Sequence, residues 1–206
     1  RGEEVRALIQ AAALGHGCLC LPGDEPLAFM NGRSLRLAPI GELVEGTLEG
    51  KYKEVSVFSM DPKTWKVVPS KVKRVFKVPS DGKVLRMRLE GGKEFRVSPD
   101  HPLLVLDEDG LITRQAMNVK GGERVPVVKG QAYEKLLGED VCFARVVGVA
   151  EEPYEGWLYD VETEHGNFVH STCVVTHNCS IHGESPEAAL IRMKSPPMDV
   201  PEGNLM

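Results

Sequence analysis

Residues 84–97 read Val84-Leu85-Arg86-Met87-Arg88-Leu89-Glu90-Gly91-Gly92-Lys93-Glu94-Phe95-Arg96-Val97, with apolar and basic side chains alternating before a glycine pair. This two-residue period is that of a β-strand with one buried face, and Gly91-Gly92 is typical of a hairpin turn. Similar turn signals separate short apolar runs elsewhere, at Asn31-Gly32, Asp61-Pro62 and Asp109-Gly110. The chain from about Leu21 to Val175 is therefore predicted to be all-β, with many short strands.

Helical signals replace the strand signals at both ends of the chain. Apolar residues recur at helical spacing from Val5 to Ala13, and Ser185-Pro186 is a typical helix start. Within the β region, only Gln131–Leu137 is predicted to form a short helix. The pattern indicates a β domain between two short helical flanks.

Composition limits the function classes that remain. The 206 residues carry 30 acidic and 25 basic side chains, and the net charge of -5 argues against nucleic acid or an anionic membrane as partner. No apolar run is long enough to span a membrane, and the first residues do not form a signal peptide. Five cysteines, an odd number, favour a reducing compartment, so we expect a soluble cytoplasmic protein.

Candidate nucleophiles mark both edges of the β region. Cys20 opens it, and His177-Asn178-Cys179 closes it. A thiol can attack its own preceding carbonyl and convert an amide into a thioester. An asparagine side chain can cut the chain by attacking its own backbone carbonyl, and an adjacent histidine is placed to move the proton. A second thiol after the asparagine could receive the acyl group.

The segment Cys20–Asn178 resembles an intein, a self-splicing domain of the Hint superfamily. Four stretches carry the resemblance, in the order found in that family: Cys20-Leu21-Pro22-Gly23-Asp24, Val97-Ser98-Pro99-Asp100-His101-Pro102-Leu103, Leu158-Tyr159-Asp160-Val161 with Gly166-Asn167-Phe168, and Val174-Val175-Thr176-His177-Asn178-Cys179. The resemblance implies the all-β, horseshoe-like Hint fold.

The resemblance assigns the N-terminal chemistry to two of these stretches. It makes Cys20 the first nucleophile and His101 the group that destabilises the Leu19-Cys20 amide and protonates its nitrogen. It makes Ser98 a hydrogen-bonding partner there, at a position where the family usually has threonine. Asp100 lies in the same stretch and is taken as a further candidate.

The resemblance assigns the C-terminal chemistry to the last two stretches. His177 would assist cyclisation of Asn178, Cys179 would be the acceptor nucleophile, and Asp160 would be the carboxylate that coordinates the two ends. The family often has a histidine where this chain has Asn167, so no histidine role is assigned in that stretch.

The resemblance also implies how the domain works. The segment 20–178 would excise itself and ligate its flanks in cis, as a monomer, without cofactor, metal, nucleic acid or membrane. Many inteins carry a homing endonuclease. Here only Val127–Asp140 separates the two β halves, which is too short for one, so the sequence predicts a mini-intein.

The two flanks form one continuous host sequence when residues 20–178 are removed. Residues 1–19 followed by 179–206 resemble the histidine-box region of archaeal and bacterial secretion and pilus-assembly ATPases, the KlbA-type members included. The scarcity of Asn and Gln points to a hot-living source, and the resemblance of the flanks implies an archaeal one. Without a phosphate loop, these flanks cannot hydrolyse ATP themselves.

Three other functions stay open at this point. One is a zinc module, in which the ligands would be His16, Cys18, Cys20, His177, Cys179 and His182, although their spacing does not match zinc knuckles. Another is a hydrolase that uses Cys20 and His101 on other molecules. The third is a purely structural β domain inserted in an ATPase.

Overall fold

The computed structural model describes residues 20–108, 110–129 and 140–178. These residues form fourteen strands and one α-helix, with two short 3-10 turns at Glu90–Gly92 and Ala116–Asn118. The elements are β1 (Leu21–Pro22), β2 (Pro26–Asn31), β3 (Ser34–Pro39), α1 (Ile40–Leu48), β4 (Val55–Met60), β5 (Val67–Pro79), β6 (Gly82–Leu89), β7 (Glu94–Val97), β8 (Pro102–Asp107), β9 (Gly110–Gln115), β10 (Arg124–Val128), β11 (Val141–Tyr154), β12 (Trp157–Thr163), β13 (Asn167–Val169) and β14 (Val175–His177).

The strands form two sheets, and all of their pairings are antiparallel. The first sheet has the order β1-β12-β5-β4-β2-β3. The second has the order β13-β14-β8-β10-β11-β6-β7, and β9 pairs with β8. The first strand, β1, thus lies at the edge of the first sheet, and the last strand, β14, lies next to the edge strand β13 of the second.

One large apolar core joins the two sheets. It contains Phe29 and Val57 from the first sheet, and Met87 and Val146 from the second, all fully buried. Burial of side chains of this size contributes about 1.5–3 kcal/mol each relative to exposure. The shared core therefore holds together the two sheets that carry the candidate site.

The predicted hairpins are confirmed. Residues 84–97 form β6 and β7 around the glycine pair, and Asn31-Gly32 connects β2 to β3. After Asp61 the next strand begins at Val67, because the Asp61 carboxylate accepts hydrogen bonds from the Lys63 amide (2.9 Å) and the Thr64 hydroxyl (2.9 Å). These hydrogen bonds make the turn longer than the Asp61-Pro62 pair from which it was predicted.

The helix α1 is a correction to the sequence analysis, which placed the only helix of the β region at Gln131–Leu137. Ile40, Leu43 and Val44 have helical spacing and are fully buried, but Gly46 hides the signal because glycine is a poor helix former. The glycine is required by close packing: a Cβ there would lie 2.5 Å from the Tyr52 ring. Residues 131–137, 1–19 and 179–206, with their predicted helices, lie outside the described residues.

In the described part of the chain, the single α-helix is too short to cross a membrane.

Candidate active site

Cys20 and Ser98 are joined by two reciprocal hydrogen bonds. The Cys20 N–H donates to the Ser98 Oγ (3.1 Å), and the Ser98 N–H donates to the Cys20 carbonyl (2.9 Å). Cys20 precedes β1 in the first sheet, whereas Ser98 follows β7 in the second, and both are buried. The serine hydroxyl thus contacts the nitrogen that would leave when a Cys20 thioester forms.

His101 immediately precedes β8 and is fully buried. Its N–H donates to the Ser98 carbonyl (3.0 Å), and its carbonyl accepts from the Ala116 N–H (2.8 Å). The ring Nε2 contacts the hydroxyl of Thr176 on β14. The Ser98–His101 turn therefore brings a hydroxyl and an imidazole to the same buried region, and it connects them to the C-terminal strand.

Asp160 is fully buried on β12, the strand that pairs with β1. Leu21 lies opposite Tyr159 and Pro22 opposite Leu158, so extending the ladder by one residue sets Cys20 opposite Asp160. One carboxylate oxygen accepts the Val161 N–H at 2.8 Å. The fold therefore places the predicted carboxylate beside the predicted first nucleophile.

Asn178 is held by the turn that connects β12 to β13. Its backbone N–H donates to the Gly166 carbonyl (3.1 Å). The carboxamide is oriented with Nδ2 towards the Gly166 carbonyl (3.0 Å) and Oδ1 towards the Thr163 N–H (2.6 Å), because the opposite orientation would set donor against donor and acceptor against acceptor. With 2% of its surface exposed, this side chain is oriented by a donor and an acceptor of the backbone.

Asn167 fixes that turn and links the two sheets. Its carboxamide accepts from the Met60 N–H (2.8 Å) and donates to the Met60 carbonyl (2.9 Å) and the His165 carbonyl (3.1 Å). Its own carbonyl accepts from the hydroxyls of Ser59 (2.7 Å) and Thr163 (2.8 Å). These hydrogen bonds join β13 of the second sheet to β4 of the first, which is a structural use of the position where the family often has histidine.

His177, the residue before Asn178, is half-buried on β14. Burial lowers the pKa of its imidazole, and a hydrogen bond with the Asn178 backbone opposes that shift. Its Nδ1 has no hydrogen-bond partner among the described residues. The ring therefore favours the neutral form, which can accept a proton.

Two further residues, Asp100 and Cys179, were also predicted to belong to the site. Asp100 is half-buried in the Ser98–His101 turn, but the hydrogen bonds that shape this turn come from the main chain of its neighbours. Cys179 lies outside the described residues, as do four of the six ligands of the zinc alternative.

A cluster of ionisable side chains beside the site, in which Glu25 and His170 are buried, was not predicted. The Glu25 carboxylate lies 2.6 Å from Arg96 Nε and 2.9 Å from His170 Nε2, and Arg96 also pairs with Asp24 (2.7 Å). Burial alone would raise the pKa of Glu25, but His170 and Arg96 outweigh it and lower that pKa. The cluster links the segment after Cys20 to β7 and to the loop before β14.

The two sheets thus bring Cys20, Ser98, His101 and Asp160 together, and the contact between His101 and Thr176 connects them to the strand that leads to His177 and Asn178. The family model that matches this chain is the intein splicing domain, over residues 28–178. The chain belongs to the intein splicing family. It is an autocatalytic protein-splicing domain that acts in cis on its own flanking segments.

Solved inteins show the same fold. The PabCDC21-1 intein superimposes with a TM-score of 0.66 at 23% identity, covering 79% of this chain and 100% of that one. The transcription factor IIB Mvu mini-intein superimposes with a TM-score of 0.68 at 21% identity, covering 78% of this chain and 99% of that one. These matches confirm the predicted all-β Hint architecture and the size of a mini-intein, which fits the lack of an endonuclease domain.

Curated relatives of this intein are archaeal. The DNA polymerase II large subunit of Thermococcus kodakarensis is 31% identical over 130 residues, which are 57% of this chain and 7% of that protein. The same subunit from Pyrococcus horikoshii is 26% identical over 173 residues, 78% of this chain and 12% of that protein. An uncharacterized protein of Methanocaldococcus jannaschii is 24% identical over 226 residues, 98% of this chain and 29% of that protein. The chain spans less than a third of the length of these relatives.

Proposed function

We propose that the chain cuts itself before Cys20 and after Asn178 and joins Leu19 to Cys179. The Cys20 thiol attacks the Leu19 carbonyl, the bond to the Cys20 nitrogen breaks, and that nitrogen takes up a proton. The Cys179 thiol then displaces the Cys20 thiol from the thioester. Asn178 Nδ2 attacks its own carbonyl and releases the Cys179 amine, which attacks the thioester and forms the new amide.

The reciprocal Cys20–Ser98 hydrogen bonds carry this proposal at the N-terminal junction. They hold the amide nitrogen and carbonyl of Cys20 from both sides. A buried, fixed amide keeps its thiol close to the preceding carbonyl, and intramolecular attack gains from such preorganisation. In this arrangement His101 supplies the proton for the leaving nitrogen, and Asp160 relays protons at the Cys20 thiol.

The hydrogen bonds of Asn178 support the proposal at the C-terminal junction. Attack by an amide nitrogen requires loss of a proton, which shifts negative charge onto Oδ1. The Thr163 N–H is placed to stabilise that charge, and the Gly166 carbonyl holds Nδ2. The neutral His177 ring accepts the proton from Nδ2 and later passes it to the departing amine.

The flanks suggest the host protein and its location. Segments 1–19 and 179–206 are proposed to be the two flanking pieces of a KlbA-type secretion ATPase of a heat-loving archaeon. The match with the uncharacterized M. jannaschii protein covers 98% of the chain and so includes nearly all of both flanks, whereas the polymerase matches do not, which supports an archaeal host other than the polymerase but not its activity. We also propose that the precursor is a cytoplasmic monomer.

Mass spectrometry of the whole chain tests the proposed cuts. Purified precursor, warmed with its thiols reduced, should give a 159-residue product spanning 20–178 and a ligated 47-residue flank, because the two cuts divide the 206 residues in this way. Folded precursor that keeps its full mass would contradict self-splicing of this chain. Products with other ends would instead move the boundaries.

His101 and Ser98 should differ in their importance. Removing a positioned proton donor costs about a hundred- to ten-thousand-fold in rate, so His101→Ala should lose thiol-induced cleavage at the N-terminal junction almost completely. Ser98→Ala should lose less, because the Ser98 N–H still holds the Cys20 carbonyl. Cleavage rates in dithiothreitol measure both. Parent-like cleavage by His101→Ala would remove this histidine from the mechanism.

A further inference from the structure

Thr176 connects the two reaction centres through one side-chain contact. Its hydroxyl touches the Nε2 of His101, and the two residues expose 1% and 0% of their surfaces. The contact follows from strand pairing, because β14 pairs with β8 and Thr176 lies opposite Leu103. Thr176 is also two residues before Asn178, in the strand that presents the C-terminal junction.

The main chain of His101 is already fixed without Thr176. Its N–H and carbonyl are bound by Ser98 and Ala116, so the Thr176 hydroxyl acts on the ring and not on the main chain. A hydroxyl can donate to an unprotonated ring nitrogen or accept from a protonated one. It can therefore hold Nε2 in one place whether the imidazole is neutral or charged.

We propose that Thr176 is a positioning residue for the first step, because its hydroxyl fixes the His101 ring for protonation of the Leu19-Cys20 amide nitrogen. The inference rests on the proposed role of His101. It adds that β14, the strand next to the C-terminal junction, contributes to the reaction at the Leu19-Cys20 junction. Thr176 does not touch the reacting atoms and acts only through the imidazole.

Isosteric variants test this proposal in the full-length chain. Thr176→Val removes the hydroxyl and keeps the β-branched shape, whereas Thr176→Ser keeps the hydroxyl. Thr113→Val is the matched control, because the Thr113 hydroxyl on β9 is buried without a hydrogen-bond partner in the described part of the chain. All variants carry Asn178→Ala and Cys179→Ala, so that cleavage by dithiothreitol reports only the thioester at Cys20.

Thr176→Val should cleave up to about a hundred-fold more slowly than the parent, since a displacement of about 1 Å can cost that factor. Its pH–rate profile should shift, because the imidazole loses a hydrogen-bond partner. Thr176→Ser and Thr113→Val should keep the parent rate and profile. Rates are measured well below the melting temperature of each variant. If Thr176→Val does not fold, NMR of the His101 ring nitrogens in Thr176→Ser provides a second measurement.

Each result has a defined meaning. A parent-like rate and pH profile in Thr176→Val would overturn the proposal, as would ring-nitrogen signals in Thr176→Ser that match a ring without a hydrogen-bonded Nε2. A slow His101→Ala beside a normal Thr176→Val would reject only the role of Thr176. A normal His101→Ala would reject the role of His101 itself, and the role of Thr176 with it.

Discussion

Asn178→Ala is expected to stop release of the C-terminal flank completely and to accumulate a branched protein in which both flanks remain attached to the intein. The first two steps do not use the Asn178 side chain, so they should proceed. The third step has lost its nucleophile, and the bond between residues 178 and 179 stays intact. On denaturing gels the branched species should migrate abnormally. Added thiol should cleave its thioester and release the N-terminal flank.

Two variants bracket this result. Asn118→Ala removes an exposed asparagine from the 3-10 turn after β9 and should splice like the parent. His177→Ala should form the branch normally and release the flank slowly, because a proton acceptor is lost but the nucleophile remains. Free, ligated flank from Asn178→Ala would show that the final cut uses another residue, and the C-terminal boundary would have to move.

The pKa of His177 gives the release step an expected pH dependence. Burial lowers this pKa below its ordinary value of 6.5, so the neutral ring persists below that pH in the folded protein. Release should therefore continue below pH 6.5 and fall only as the pH drops through the lowered pKa. Any stability that this shift contributes follows the same direction, present above pH 6.5 and lost in acid.

Cys20→Ala is expected to abolish ligation. No thioester can form at Leu19, so neither the branched species nor thiol-induced cleavage should appear. The alanine keeps the backbone N–H and carbonyl that bind Ser98, so the variant removes the thiol and leaves the surrounding hydrogen bonds in place. Cleavage before Cys179 should persist, because Asn178 and its hydrogen-bonding turn are unchanged.

Mass spectrometry separates the possible products of this variant. Cys142→Ala is its control, because Cys142 lies half-buried on β11 and has no proposed role in splicing, so ligation should be normal. Ligated flank from Cys20→Ala would mean that Cys179 attacks the Leu19 carbonyl directly. The thioester at Cys20 would then be removed from the pathway.

The parts of the fold that depend on local patterns could be predicted from the sequence. The hairpin of β6 and β7 follows from two-residue alternation around a glycine pair. The helix α1 was missed because its glycines are required by close contacts with groups outside the helix, such as the Tyr52 ring against Gly46. A single sequence does not show that Tyr52 packs there.

The same distinction applies to the site. The proposed roles of Cys20, His101 and Asn178 were predicted from the chemistry of their side chains and from the family resemblance. Thr163 and Thr176 could not be identified, because threonine is common in strands and both gain their proposed importance only from strand pairing. Asn167 was noted as a departure from the family, but its bonds to Met60 depend on how the two sheets meet.

The hydrogen bonds around Asn178 also bear on chemical ageing. Asparagine is among the residues that heat degrades, and its loss of ammonia leaves an aspartate that cannot supply the nitrogen for cyclisation. Here the carboxamide is almost closed to water, and a carboxylate would set a second oxygen against the Gly166 carbonyl. The turn that binds the Asn178 carboxamide therefore also disfavours the damaged form, so folded precursor is expected to lose this side chain more slowly on heating than unfolded precursor does.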